Sequence, residues 1–288
     1  MLEAFDTGTA KIFEPAGHRL SAIVFGPSGG LISTGAVRWC NEHDISVIVL
    51  DYHGNMVSAT AAMNADNLKV RRAQFFADPI VMGSAILQQK IAGALRIGKQ
   101  SEFTYGRAMN QIRSANSMER LLQIEANAAL DYWSRWRFPM RFKPRGWPAS
   151  WSEFANRVSG ISGSPQHATH PVNAMLNYAY SIVAGLCVRS LFAVGFDPCF
   201  GFLHVERQGR YSLAYDLLEL LRPEIDNAIL PWIASRRWSR ADFPVTKSGI
   251  VRVHSNLTRV VMQRVASAIT TDRVDRAAAW LATVVAAP

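Results

Sequence analysis

Cysteine is scarce in this chain of 288 residues. There are three, Cys40, Cys187 and Cys199, so they cannot all pair with one another within the chain. No two of them have the Cys-x-x-Cys spacing that zinc ribbons use. This pattern argues against a zinc ribbon and fits a reducing compartment, so we expect a cytoplasmic protein.

Long apolar runs are also missing. Residues 182–196 come nearest to one, but they include Arg189 and fall short of the roughly 18–20 residues that a membrane-spanning helix needs. The chain opens with Glu3 and Asp6 rather than with the basic and apolar segments of a secretory signal. Because 49% of the residues are hydrophobic and 10% aromatic, we expect a folded protein with a buried core and no membrane partner.

Acidic residues are outnumbered by basic ones. The chain has 31 Lys and Arg against 22 Asp and Glu, and the resulting charge of +9 favours a polyanionic partner such as nucleic acid. Two stretches interleave cations with aromatic rings, as a protein that binds single-stranded or frayed DNA ends requires. The first has Arg135, Arg137, Arg141, Lys143 and Arg145 among Trp133, Trp136, Phe138, Phe142 and Trp147, and the second has Arg236, Arg237, Trp238 and Arg240. The alternative is a solvated loop whose rings pack on the core, and it stays open for half of those rings.

Hydrophobic periodicity divides the chain into two parts. Up to residue 68 it contains short β-branched runs at 21–25 and 46–51, with a short predicted helix at 31–40 between them. From residue 69 the pattern is helical, with predicted helices at 71–97, 104–136, 171–194, 212–221, 224–235 and 251–284 and a loop at 141–166. We therefore predict an α+β protein, with a small N-terminal β domain at 1–68 followed by a larger all-α domain at 69–288.

Two short motifs look catalytic but lack the context that their chemistry needs. Residues 26–30 fit the Gly-x-Ser-x-Gly pattern around Ser28, but too few residues precede them for the several strands of the hydrolase fold. His167 and His170 offer two imidazoles without a Glu or Cys nearby. We interpret the first motif as a glycine-rich turn and the second as a surface loop.

Glu125 lies in the middle of a predicted helix, on its apolar face. Its neighbours one turn away are Leu121, Leu122, Ala128 and Ala129, so the carboxylate falls on the buried stripe. A carboxylate in that position needs a partner, because burying it unpaired costs too much free energy. On spacing alone, a metal cation and a buried arginine are equally good partners.

A second acidic cluster follows an apolar run that ends in His204. Asp216 and Glu219 stand three residues apart in the next predicted helix, which puts both carboxylates on one face. The intervening turn lets that helix fold back beside His204. Carboxylates with one imidazole suit Mg²⁺ or Mn²⁺ better than a structural zinc site does. The open alternative is a core histidine with satisfied hydrogen bonds beside an acidic helix face.

These two acidic segments belong to a longer series of short motifs, which follow one another along the chain between about residues 20 and 260. They are Gly30-Leu31-Ile32-Ser33-Thr34, Ile45 to Leu50, Gly54, Arg71-Arg72-Ala73-Gln74, Lys90-Ile91, Ile124-Glu125-Ala126, Tyr132-Trp133, the run from Pro171 to Tyr180, Gly195-Phe196-Asp197-Pro198, Gly201-Phe202-Leu203-His204, Ser212 to Glu219 and Arg222-Pro223. In this order they resemble the Cas-one family, the CRISPR-associated integrase of spacer acquisition. The chain differs from the family in having Gln123 and Ala126 where glycine is usual, and in having fewer β residues before Gly30.

The resemblance implies a β domain for dimerisation and a helical catalytic domain that holds Mg²⁺ or Mn²⁺. Glu125, His204 and Glu219 would be the metal ligands, and Asp216 a further ligand or a carboxylate that orients one. Because His204 must be neutral to bind a metal, activity should fall as it becomes protonated. Arg222, Arg236 and Arg237 would add DNA contacts to those of the first cluster.

The implied reaction is the insertion of spacer DNA into a CRISPR array, by attack of a DNA 3′-OH or water on a phosphodiester. The implied partners are double-stranded DNA with frayed or single-stranded ends, a second copy of the chain, and the small protein Cas-two. Two other functions stay open. One is a branched-DNA repair nuclease with the same metal site, and the other is a non-catalytic DNA-binding scaffold. A serine hydrolase using Ser28 has less support, because no partner His and Asp can be named for it.

Overall fold

The structure is a computed structural model. It describes residues 2–6, 9–13, 20–26, 30–61, 67–143, 146–159, 161, 163, 167–204 and 210–286. Ser28, Arg145 and most of the turn predicted before residue 211 lie outside these ranges.

The N-terminal part contains two small sheets. Strands β1 (Leu2–Asp6) and β2 (Thr9–Phe13) form an antiparallel hairpin. The second sheet has the order β3 (Ala22–Phe25), β4 (Ser46–Leu50) and β5 (Met56–Ala59), with helix α1 (Thr34–Glu42) crossing from β3 to the parallel strand β4. The strands predicted at 21–25 and 46–51 are confirmed. Strand β5 was not predicted, because it lacks a β-branched run.

The rest of the chain is mostly helical. Its helices are α2 (Leu68–Phe76), α3 (Pro79–Arg96), α4 (Glu102–Arg113), α5 (Met118–Ser134), α6 (Pro171–Val194), α7 (Ser212–Ser235), α8 (Ser255–Ala268) and α9 (Thr271–Val285). The long stretches predicted at 71–97, 104–136 and 251–284 are each divided into two helices. Asp78 caps α3 with Pro79 in its first turn, and the Ser117 hydroxyl accepts from the backbone N–H of Arg120 at the start of α5.

Helix α7 is continuous where two helices were predicted. It passes through Pro223 and Pro231 without ending, although proline removes a backbone N–H and usually breaks a helix. At Pro223 the helix packs closely against α3. A Cβ on Gly93 would lie 3.2 Å from the Pro223 ring, so the absent side chain of Gly93 allows the two helices to approach closely.

The helical part is not all-α, which corrects the predicted fold class in detail. Strand β6 (Phe138–Pro139) pairs antiparallel with β8 (Glu153–Phe154), and β7 (Arg141–Phe142) pairs parallel with β9 (Arg237–Trp238). Strands β7 and β8 lie within the segment predicted as a loop. Strands of two residues are too short to show a periodicity of two in the sequence.

Helix α6 forms the centre of the core. It is long and apolar enough to cross a membrane by length and composition, but 78% of its most apolar window is buried inside the protein. Strand β4 packs directly on it, because a Cβ on Gly185 would overlap Ile48. Arg189 in this helix is buried and pairs with Asp44 and Asp275. The sheet and the helices share this core, and a domain boundary at 68/69 stays a prediction.

His170 is not on a surface loop, which corrects its predicted location. It caps α6, where its Nδ1 accepts from the backbone N–H of Val172 at 3.2 Å. Burial lowers the pKa of its imidazole to about 4, so it is neutral at pH 7. His167, by contrast, is exposed.

Candidate metal centre

Three helices bring two acidic side chains to one cation. Lys90 on α3 contacts Glu125 Oε1 on α5, and its Nζ lies 2.6 Å from Glu219 Oε2 on α7. Glu125 and Glu219, which stand far apart in the sequence, are therefore neighbours. Their shared partner is a lysine, where the sequence left a metal or an arginine open.

Glu125 lies at the edge of the buried stripe rather than within it. Its side chain is 29% exposed and the neighbouring Leu122 is 41% exposed, so the prediction that Glu125 falls on the buried stripe is wrong. The buried stripe of α5 follows Leu121, Ile124 and Ala128. Glu219 is the buried member of the pair, with only 4% of its side chain exposed.

His204 is held next to Glu219 by Asp216. The Asp216 carboxylate lies 2.6 Å from Nδ1 of His204, and the Nε2 atom of the same ring lies 3.9 Å from Glu219 Oε1. Asp216 also accepts the backbone N–H groups of Phe202, Leu203 and His204. Its oxygens are thus engaged with the turn that carries the histidine. Of its two predicted roles, this arrangement favours the one in which it orients a ligand.

The charges of this site support one another. Burial raises the pKa of Glu219, but Arg222 and Lys90 lower it by more, to about 2. Arg222 Nη2 lies 3.1 Å from Glu219 Oε1. Burial likewise opposes the charge of Lys90, but Glu125 and Glu219 keep its pKa above the usual value. Glu219 and Lys90 are therefore charged at neutral pH.

The donor atoms fit a hard divalent cation. Glu219 Oε2 is buried and lies 2.6 Å from the Lys90 ammonium, and carboxylate oxygens of this kind are ligands that Mg²⁺ and Mn²⁺ accept. In the described part of the chain no three acidic, histidine or cysteine side chains lie close enough together to hold a metal as they stand. The Lys90 ammonium stands in for a cation between the two carboxylates. A metal bound by Glu125, Glu219 and His204 would have to displace it.

The pairing of β7 with β9 joins the two predicted basic clusters into one surface. Arg141 and Arg237 are directly paired in the two strands, and the backbone N–H of Lys143 donates to the carbonyl of Trp238 at 2.7 Å. Arg141, Lys143, Arg236 and Arg237 are exposed, and we call them the basic surface. Within the described ranges these four side chains form no ion pair.

The remaining predicted DNA contacts are arranged differently. Trp136 is only 5% exposed and lies beneath Lys99, so it is not free to stack on a base and its assignment was wrong. Arg135 pairs with Asp131, and Arg137 pairs with Glu153. Arg222 belongs to the metal centre. Arg145 lies outside the described residues.

Most of the interleaved rings pack inward, as the alternative interpretation of these clusters proposed. Trp238 is buried, and Phe142 stacks on Trp147 with ring centroids 5.0 Å apart.

The sequence analysis did not identify Lys90 as a site residue, although the argument used for Glu125 applies to it. Its neighbours one turn away are Ile86, Leu87, Gly93 and Ala94, so it too stands on an apolar helix face. A lysine and a glutamate on the buried faces of neighbouring helices indicate an ion pair.

The fold is shared with a casposase and with a Cas1 protein of known structure. The chain superposes on a casposase bound to its integration product with a TM-score of 0.78, at 22% identity, over 97% of this chain and 84% of that one. It superposes on a CAS1 protein from Thermotoga maritima with a TM-score of 0.71, at 14% identity, over 88% of this chain and 82% of that one. The fold is therefore that of the Cas1 and casposase class.

The sequence comparisons identify the family. Residues 5–267 match the family model "CRISPR associated protein Cas1". A CRISPR-associated endonuclease Cas1 of Pyrobaculum aerophilum is 29% identical over 74% of this chain and 70% of that protein. One from Archaeoglobus fulgidus is 26% identical over 80% of this chain and 73% of that protein. The chain belongs to the CRISPR-associated protein Cas1 family.

Proposed function

We propose that this protein is a metal-dependent DNA endonuclease and integrase that inserts spacer DNA into a CRISPR array. The observation that carries the proposal is the convergence of Glu125 and Glu219 on one cationic atom, with His204 Nε2 beside them. Relatives named as endonucleases and the structural likeness to a casposase bound to an integration product support it.

Each residue of the centre has a chemical part in this reaction. Glu125, Glu219 and His204 would hold Mg²⁺ or Mn²⁺, which neutralises the scissile phosphate and activates the attacking oxygen when bound. Asp216 fixes the ring of His204 so that Nε2 faces the carboxylates. Arg222 keeps Glu219 ionised and therefore able to bind a cation at neutral pH.

The basic surface would bind the DNA. Its four exposed cations have no acidic partner among the described residues, so they can neutralise phosphates without first breaking an ion pair there. Arg135 and Arg137 would have to leave Asp131 and Glu153 before they could do the same. The DNA substrate is a duplex with frayed or single-stranded ends.

The proposed assembly is a homodimer that works with Cas-two in the cytoplasm. A solved Cas6-RT-Cas1–Cas2 complex contains a chain that matches 88% of this one with a TM-score of 0.66, at 18% identity. That likeness supports a similar partnership.

A strand-transfer assay tests the proposal. Duplex DNA with frayed ends is incubated with Mg²⁺ or Mn²⁺ and a supercoiled plasmid that carries a repeat, with and without Cas-two. Glu125→Gln should abolish product formation and leave DNA binding unchanged, whereas Glu119→Gln, an exposed residue on the same helix, should be as active as the wild type. Full activity of Glu125→Gln, or activity in chelator, would contradict the metal site. If the same amount of product forms without a repeat in the plasmid and without Cas-two, the alternative of a repair nuclease is favoured.

A further inference from the structure

The metal centre has a second polar level two helical turns away. Tyr132 follows Glu125 by seven residues on α5, and Asp226 follows Glu219 by seven residues on α7. Seven residues make almost two turns of an α-helix, so each pair stands on one helix face about 10.5 Å apart. Both helices therefore present a residue of the metal centre and a residue of the second level to the same side.

Asp226 joins three helices at this second level. Its Oδ2 accepts a hydrogen bond from the Tyr132 hydroxyl at 2.7 Å, and its Oδ1 accepts one from the hydroxyl of Tyr180 on α6. The carboxylate is 1% exposed. Within the described ranges this buried carboxylate has two hydroxyl donors and no direct ion pair, which is costly to maintain, and burial raises its pKa to about 6.

The second level is connected to the metal centre through Arg222. The Arg222 guanidinium lies 4.7 Å from the centre of the Tyr180 ring, and its Nη2 contacts Glu219 at 3.1 Å. Tyr180 therefore donates its hydroxyl to Asp226 and contacts Arg222 through the face of its ring. Displacement of Tyr180 would move the cation that keeps Glu219 ionised.

A cavity of about 60 Å³ separates the two levels. Its lining includes Lys90 and Glu125 of the metal centre and Tyr132 and Asp226 of the second level. The cavity is large enough for about two water molecules. Because side chains do not fill this space, polar contacts at the two levels help to set the distance between α5 and α7.

We propose that Asp226, together with Tyr132 and Tyr180, is a positioning residue that fixes the separation of Glu125 and Glu219 and thereby the affinity for the divalent cation. The inference rests on the proposed function. Asp226 touches neither metal nor DNA in this account. Its effect is exerted through the helix spacing and through Arg222.

Direct measurement of Mn²⁺ binding by calorimetry, with Tyr132→Phe as the variant, tests this role. The substitution removes one hydroxyl and keeps the ring, so the Asp226 carboxylate loses its bond to α5. We expect Mn²⁺ affinity to fall about tenfold, as when other partners that orient a ligand are removed. The strand-transfer rate should recover at saturating Mn²⁺.

The matched control is Tyr178→Phe. Tyr178 is also a buried tyrosine, on α6, but its hydroxyl lies near Gly26 and away from the second level. Removal of the Tyr178 hydroxyl should leave Mn²⁺ affinity unchanged. In the absence of metal, the melting temperatures of the two variants should fall by similar amounts, so a difference in Mn²⁺ affinity reports on the site rather than on general stability.

Two different failures can be told apart. If the wild type binds Mn²⁺ and Tyr132→Phe binds it equally well, the positioning role is wrong and the proposed function stands. If the wild type binds no Mn²⁺ and transfers no strand, the proposed function fails first. Asp226→Asn gives a second variant of the same size, and it should weaken Mn²⁺ binding at least as much as Tyr132→Phe.

Discussion

The metal centre and the basic surface use charge in opposite ways. In the metal centre, Glu219 is buried, and both Lys90 and Arg222 contact a carboxylate of opposite sign within a few ångströms. On the basic surface, Arg141 and Arg237 are exposed and stand side by side with the same sign. Close packing fixes the first arrangement, for instance where Gly93 meets Pro223. Changing a charge on the basic surface should alter the free energy of unfolding little, because water and ions screen exposed charges.

This difference separates two functions. A buried site at fixed distances can select and orient a cation, so its residues should affect chemistry and stability. An exposed row of cations supplies affinity for a polyanion, so its residues should affect binding in a salt-dependent way. Variants of the two regions should therefore differ in what they change.

Lys90→Met should give the largest effect. It leaves Glu125 and Glu219 without their shared partner, and removal of one member of a buried ion pair costs about 3–5 kcal/mol. Denaturant unfolding in chelator measures the loss, and added Mn²⁺ should restore more stability to this variant than to the wild type. The matched control is Lys143→Met on the basic surface, where we expect a change within about 0.5 kcal/mol. Equal losses of stability in the two variants would contradict the difference between the metal centre and the basic surface.

Asp226→Asn should change how stability depends on pH. Because burial raises the pKa of Asp226 to about 6, the folded protein binds its proton more tightly than the unfolded chain does. The stabilisation is therefore complete below pH 4 and is lost as the pH rises through 6. Asparagine cannot ionise, so the stability of the wild type relative to Asp226→Asn should fall by about 3 kcal/mol between pH 3 and pH 7. Unfolding curves across this range check it, and a flat difference would contradict a buried, titrating Asp226.

Reversing two charges on the basic surface should weaken DNA binding without affecting the metal centre. For the double variant Arg141→Glu and Arg237→Glu, we expect the slope of log affinity against log salt to decrease by about 2. Fluorescence anisotropy at several salt concentrations measures it. Mn²⁺ affinity and melting temperature should stay at their wild-type values. A loss of Mn²⁺ binding would show that the two regions are coupled.

Trp136→Phe should give the smallest effect on DNA binding. The Trp136 ring is buried beneath Lys99 and cannot reach a base. DNA affinity should therefore match the wild type, whereas melting temperature should fall slightly because a buried ring becomes smaller. A several-fold loss of DNA affinity in a fully folded variant would return Trp136 to the binding surface.

Local spacing predicted the parts of the site that depend on one helix. Asp216 and Glu219 lie on one face as their spacing required, and the apolar neighbours of Glu125 indicated that it needs a partner. The identity of that partner was not predictable from Glu125 alone, because Lys90 reaches it from another helix. The hydrogen bonds that Asp216 accepts from the backbone of residues 202–204, which support its proposed orienting role, are not visible from spacing.

The same limit applies to the fold. The continuous α7 depends on the contact between Pro223 and Gly93, and the basic surface depends on the pairing of β7 with β9. Both are contacts between segments distant in the chain. Helix α6 and strands β3 and β4 were predictable, because their own residue pattern determines them.

The central claim is that His204, Glu125 and Glu219 bind one catalytic cation together. Pulsed electron paramagnetic resonance of bound Mn²⁺ tests it most directly, because it detects coupling between the metal and a ligand nitrogen. We predict a nitrogen coupling in the wild type that disappears in His204→Ala and persists in the control His167→Ala, at an exposed histidine. Bound Mn²⁺ without nitrogen coupling in the wild type, or the same coupling in His204→Ala, would contradict the account.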